Sequence, residues 1–205
     1  MSTAPIDQNN PLVLASSSPR RKQLLMQIGI PFEAVESGIH ETIDQALAPA
    51  KSACETAARK AQAVQQFHQQ RWVLGADTIV VVNDRIFGKP SDAQECRSML
   101  FALQGRNHRV ITGFCLMDGS GGTVRVQAVT SRVKVKKMSE QEIGDYIKTG
   151  EPYGKAGGYA IQGIGSFMIE GISGSYTNVV GLPVCEVVAS LVACGALISF
   201  PITKQ

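Results

Sequence analysis

The chain alternates compact apolar runs with amphipathic stretches, and that pattern sets out most of its elements. Leu12 to Ala15 is a short apolar run that predicts a buried strand. Ser18 stands as a helix N-cap with Pro19 at the first helical position. The helix it opens should stop near Gly29 and Pro31. Phe32 to Glu36 predicts a second strand, and Ser37 to Thr42 a loop. Helical periodicity and many good helix formers predict a helix over Ala48 to Gln70. Trp72 to Val82 is strongly β-prone, and Asn83-Asp84-Arg85 turns it into Ile86 and Phe87. Ser91 with Gln94 has the capping-box pattern and opens a helix to Gln104. Arg109 to Met117 and Thr123 to Val135 predict strands joined by the DGSGG turn at Asp118 to Gly122. Ser139 with Glu142 is a second capping box, for a helix ending near Gly150. Tyr153 to Gly165, rich in glycine and polar residues, predicts a loop of unusual length, and such loops often carry function. Ser166 to Ile172 predicts a short strand, and the last helix starts at Leu182.

Crossover helices and hairpins together indicate a mixed α/β chain without repeats or linkers. Its 205 residues imply a single domain over residues 11–200 behind a disordered N-terminal tail, residues 1–10. Hydrophobic content of 44% and charged content of 18% are ordinary for a globular protein. A net charge of +3 gives no field suited to nucleic acid or a membrane surface. Arg132, Lys134 and Lys136 alternate with Val133 and Val135, which reads as the solvent face of a strand. The five cysteines are odd in number and scattered, without a CxxC pair. Neither zinc nor a disulfide framework is expected, and reduced thiols fit a cytoplasmic protein. Met1 to Asn10 lacks an apolar signal core. No apolar stretch reaches the ~18 residues that span a bilayer.

Candidate chemistry concentrates at a few points. SSSPRR (Ser16 to Arg21) falls at a strand-to-helix junction, where free N–H groups and the helix dipole favour an anion. Arg20 and Arg21 oppose that dipole unless an anion visits, and guanidinium suits phosphate oxygens. Asp77 is a lone acid in an apolar run, and if buried it must meet a cation, a metal or a substrate proton. Thr78 beside it would point its hydroxyl to the opposite face. Lys89 follows the hairpin after Asp77 and so falls near it, and Lys60 lies on the helix before. Glu41 offers a second carboxylate for a hard cation such as Mg²⁺. His40, His68 and His108 show no ligand spacing. GEPYGKA (Gly150 to Ala156) has the wrong spacing for a Walker loop, and Ala156 replaces its Ser or Thr. GIGSF (Gly163 to Phe167) lacks the third glycine of a dinucleotide fingerprint, and no GxSxG elbow is present.

The strings LASSSPRR, ARKA around Lys60, GADTIVV, GKPSDA, LQGRNHRVITG, TGEPYGKAGGYAIQGIGSF and ISGSYTNVVGLP occur in that order between Leu14 and Pro183. In order and spacing the chain closely resembles the Maf family of nucleoside triphosphate pyrophosphatases, from Leu12 to Leu191. KAGGYAIQG (Lys155 to Gly163) is similar to the branch acting on dTTP and UTP. The resemblance implies that Asp77 is the proton acceptor and that Arg20, Thr78 and Gln162 set substrate preference. Ser16, Arg21, Glu41, Lys60 and Lys89 match other polar positions of the cleft. The family usually has two adjacent acids where this chain has His40-Glu41, so His40 departs from the pattern and Glu41 remains. The resemblance also implies an elongated, twisted mixed sheet flanked by helices, with two lobes and a deep nucleotide cleft. It further implies a cytoplasmic enzyme, a divalent cation (Mg²⁺ or Mn²⁺) held by Glu41 and Asp77, a nucleoside triphosphate substrate, and a homodimer. Two alternatives stay open at this point: the same hydrolysis on another nucleotide such as 7-methyl-GTP, and a nucleotide-binding regulator of cell division or septum formation with little catalysis.

Overall fold

The computed structural model describes residues 3–40 and 46–202. Seven strands form one mixed sheet. In chain order they are β1 (Leu12–Ala15), β2 (Phe32–Val35), β3 (Val73–Val82), β4 (Arg85–Phe87), β5 (Asn107–Met117), β6 (Thr123–Val135) and β7 (Ile169–Ser173). The helices are α1 (Pro19–Gln27), α2 (Pro49–Gln65), α3 (Ala93–Leu103), α4 (Glu140–Lys148), α5 (Tyr176–Val180) and α6 (Val184–Ala193). The sheet runs β2-β1-β3-β5-β6-β7, with β4 added to one end of β3. β1 lies parallel to β2 and β3, and the other pairings are antiparallel. The 13 residues of β6, at about 3.4 Å each, reach roughly 40 Å. The sheet is therefore elongated, as expected.

Of the four apolar clusters among the described residues, the two largest make the two lobes, and the other two lie between α2 and the sheet. One gathers Leu12, Leu14, Leu25, Leu74, Phe114, Leu182 and Leu191 around β1, α1 and α6. The other gathers Val80, Val82, Leu100, Leu103, Val133, Ile143 and Met168 beneath α3 and α4. β3 and β5 contribute to both, because each strand runs from one lobe into the other.

Several boundaries differ from the sequence reading, each for a local reason. α2 ends at Gln65, five residues early, because Gln70 takes a positive φ of 68° and donates to the Gly119 carbonyl as the chain reverses into β3. At α3 the N-cap is Asp92, whose carboxylate accepts from the Glu95 N–H. Ser91 lies one residue outside and bonds the Glu95 carboxylate instead. The Ser139–Glu142 capping box forms as read. The last strand starts at Ile169, after a 3₁₀ turn over Ile164–Met168. α5 escaped the sequence reading: Ser175 caps it, and Gly181 ends it with φ 129°. Residues 3–10, read as a disordered tail, pack on the body. Ile6 is buried and donates to the Ala196 carbonyl, and the Trp72 indole donates to the Ala4 carbonyl.

Candidate active site

The centre of the site is a gap in the sheet. β1 pairs with β3 only at Val73–Gly75, and β4 pairs with it only at Val80–Val82. Between them, Ala76 to Ile79 keep a partner on the β5 side alone. The open side becomes a cleft of about 600 Å³ between the lobes. Asp77 and Thr78 lie at that gap and, being consecutive on a strand, face opposite sides. The expectation for Thr78 is met: its hydroxyl lies 2.9 Å from that of Thr112, while Asp77 faces α2.

What brings a cation to Asp77 is the close approach of α2. A Cβ at Gly75 would lie 2.2 Å from the Ala57 carbonyl oxygen, and one at Gly113 would lie 2.5 Å from the backbone of Ala53. Gly113 is the cross-strand partner of Asp77. Ala53, Ala57 and Ala61 complete the small-residue seam on the helix, all fully buried. One turn along, Lys60 is buried with its Nζ 2.6 Å from Asp77 Oδ1. It also donates to the Ala76 carbonyl at 3.4 Å. This pairing holds the carboxylate in one place within the cleft wall.

The Ser-rich turn forms the facing wall. Ser18 occupies the N-cap of α1, but its side chain makes no capping bond. The buried Ser16 hydroxyl braces the turn ahead of the helix, accepting from the Ser18 N–H and from Arg21 Nη1, each at 3.2 Å. Arg21, expected as a phosphate donor, is buried and fans out to protein partners. Its Nε donates to the Gly181 carbonyl at 2.8 Å and its Nη2 to Thr78 Oγ1 at 3.0 Å. Thr112 extends the network to the Asn178 carbonyl. The start of α1, the middle of β3 and the end of α5 are thus tied at one point.

Arg20 remains half-buried at the cleft, with its Nε 3.3 Å from the Val180 carbonyl. Across from this wall stand Lys155, Tyr159 and Gln162 from the segment after α4, with Lys89 from the segment after β4. Burial, and after it the Arg20 charge, hold the Lys155 pKa below its ordinary value against the pull of Glu151. Burial lowers the Arg20 pKa as well. Arg20 thus disfavours the charged form of Lys155, and an anion between the two would relieve that repulsion. Asp77, Thr78 and Lys89 also border an adjoining cavity of about 430 Å³, so Lys89 lines the same two cavities as Asp77.

Lys155 is the residue that sequence reasoning missed as a site cation. It sits in the segment rejected as a Walker loop; its signal was the long glycine-rich loop itself. Glu36 and His40 line the cleft mouth, both exposed, and the His40 carbonyl accepts from Arg59 Nη2. Glu41 lies outside the described residues. Among the described residues no three His, Cys, Asp or Glu side chains gather as a metal cluster. Asp77 nonetheless offers a hard oxygen: Oδ1 takes Lys60, and Oδ2 has no hydrogen bond among the described residues.

Below the cleft, His108 is buried and bonds the Tyr159 hydroxyl through Nε2 at 2.7 Å. Its Nδ1 has no partner among the described residues. Burial pushes the His108 pKa down to about 4 from 6.5. Between those values the unfolded chain binds a proton that the native one does not, so stability is complete above pH 6.5 and falls as the pH drops toward 4. The expected loss over that window is roughly 3 kcal/mol. Melting curves from pH 7 to pH 4 should show it, and His108→Gln should flatten the slope. An unchanged slope in the variant would place the acid sensitivity elsewhere.

Fold and site together define an α/β protein whose cleft sets the cations Arg20, Lys89 and Lys155, suited to an anionic group, beside a positioned carboxylate. The chain belongs to the Maf family: the profile of Maf-like proteins matches residues 11–194. The dTTP/UTP pyrophosphatase of Syntrophotalea carbinolica is 48% identical over 95% of this chain and 89% of its own. That of Ruminiclostridium cellulolyticum is 48% identical over 84% and 90%. That of Pelotomaculum thermopropionicum is 47% identical over 85% and 92%. No described helix is long and apolar enough to cross a membrane.

Proposed function

We propose that this chain is a nucleoside triphosphate pyrophosphatase acting on dTTP and UTP. Water attacks the α-phosphorus, the bond from that phosphorus to the bridging α–β oxygen breaks, and the nucleoside monophosphate and pyrophosphate leave. The observation that carries this reading is Asp77, fixed at 2.6 Å by buried Lys60, in the wall of a cleft lined by Arg20, Lys89 and Lys155. Asp77 takes the proton of the attacking water. The cations neutralise the triphosphate and the charge that gathers on the leaving pyrophosphate. Lys60 and Arg21 act here through what they hold, Asp77 for the one and the Ser16–Thr78–Gly181 junction for the other.

A divalent cation, Mg²⁺ or Mn²⁺, would be held by the Asp77 carboxylate and, as the resemblance implies, by Glu41, both hard-oxygen donors suited to such an ion. Bound there, it would offset negative charge on the phosphates. Gln162 is exposed at the cleft and offers both donor and acceptor, matching the amide-like edge of uracil or thymine.

The test is pyrophosphate release from a panel of canonical and modified nucleoside triphosphates with Mg²⁺ or Mn²⁺. Preference for dTTP and UTP is the expected result. Tight nucleotide binding with no turnover on any substrate would overturn it. In the same panel, Gln162→Ala should lower the preference for pyrimidines over purines by about tenfold, the value of one or two hydrogen bonds to the base. A base profile identical to wild type would remove Gln162 from recognition.

A further inference from the structure

From Thr149 to Met168 the chain leaves α4 and returns to β7 with only two short 3₁₀ turns, Ala156–Gly158 and Ile164–Met168. A stretch of this kind keeps one shape only if its backbone groups find partners that offset the ordering entropy. Here they converge on one carboxylate. Glu151 Oε1 accepts from the Ile164 N–H at 2.8 Å, and Oε2 accepts from the Gly165 N–H at 2.7 Å. Oε2 also accepts from the Tyr146 hydroxyl at 2.9 Å. That hydroxyl in turn accepts from the Ala160 N–H at 3.1 Å.

The glycines around it are needed for space. A Cβ at Gly163 would sit 1.8 Å from Glu151 Oε1, and one at Gly165 would sit 2.6 Å from the Tyr146 hydroxyl oxygen. Burial alone would raise the Glu151 pKa. The Gly165 N–H, the Tyr146 hydroxyl and the Ile164 N–H outweigh burial and hold it below the usual value. The carboxylate therefore clasps the beginning and the end of one loop. Lys155, Tyr159 and Gln162 lie between the clasped ends and line the cleft, which Glu151 itself does not. The Lys155 ammonium also bonds the Glu151 carbonyl.

We propose that Glu151 is a positioning residue for substrate selection. Its carboxylate, with the Tyr146 hydroxyl, fixes the loop that presents Gln162 and Lys155 to the nucleotide, and so sets discrimination between pyrimidine and purine triphosphates without touching substrate. The inference rests on the function proposed above.

Two full-length variants test it, Glu151→Gln and Tyr146→Phe. A glutamine puts an NH₂ where a carboxylate oxygen faced N–H and O–H donors, so at least one of them loses its acceptor. Tyr146→Phe removes only the hydroxyl and leaves the ring in its packing, so it decides the matter if the first variant does not fold. The readings are kcat and KM for dTTP, UTP and dGTP, and amide hydrogen exchange over residues 160–165. Expected in both variants are faster exchange there, a KM for dTTP raised about tenfold, a kcat changed far less, and a reduced preference for dTTP over dGTP. Unchanged exchange with unchanged preference would overturn the inference, and so would a fall in kcat alone. A wild type that hydrolyses none of the nucleotides would overturn the proposed function and this inference with it. An active wild type with unaltered selectivity in both variants would overturn the inference alone.

Discussion

Asp77→Asn should lower kcat for dTTP by about 10²- to 10⁴-fold, the contribution of a positioned general base. Asparagine has nearly the same shape, and its carbonyl oxygen can still accept from Lys60 at the place where Oδ1 now lies 2.6 Å from Nζ. The variant cannot take a proton from water, and it no longer balances the buried ammonium. Some stability is therefore lost, because a buried cation without its counter-charge is unfavourable. The fold should persist, since the strand keeps its ladder to β5 on both sides of the site. Circular dichroism and a thermal melt establish folding, and pyrophosphate release establishes turnover. A folded variant with wild-type turnover would take Asp77 out of the chemistry and leave the cations as a binding site only.

The lone acid was legible because it broke a pattern. An aspartate inside GADTIVV contradicts burial unless something answers it, and alternation along a strand separates Asp77 from Thr78. Both points hold in β3. The solvent-face reading holds for Arg132 and Lys134, with Val133 and Val135 buried between and beyond them, but not for Lys136, which lies past the end of β6, half-buried and paired with Glu142. What answers Asp77 was not legible. Lys60 is 17 residues earlier and reaches it only because α2 sits at one register and one depth on the sheet. Those are set by glycines on two strands, β3 and β5, that local periodicity treats as neutral. Lys155 and Glu151 were hidden differently. Their roles depend on a loop closing on itself through backbone N–H groups, and such closure leaves no periodic trace. Arg21 shows the converse: its chemistry suits phosphate, yet the tertiary structure gives its guanidinium Gly181, Ser16 and Thr78.

The packing of α2 on the sheet is also where the largest stability effect should appear. Gly75→Ala would set a methyl 2.2 Å from the Ala57 carbonyl oxygen and 2.8 Å from the Ala61 nitrogen. Both are helix backbone atoms already held in the ladder of α2, so no side chain can rotate away. The helix must lift from β3 or the strand must bow. Overpacking of this sort costs about 1–3 kcal/mol and occasionally more, and rigid backbone on both sides favours the upper end. For a chain of this size that is a fall of roughly 5–10 °C in Tm. Turnover should fall with it, because lifting α2 draws Lys60 away from Asp77 and loosens the carboxylate. A glycine on a helix supplies the contrast. Gly144, inside α4, has nothing within 4 Å of the Cβ position, so Gly144→Ala should raise stability by roughly 1 kcal/mol through helix propensity alone. Opposite signs for the same chemical change would show that depth of packing, and not loss of glycine as such, holds Lys60 against Asp77. A Gly75→Ala protein that melts with wild type and turns over normally would mean that α2 does not rest directly on β3.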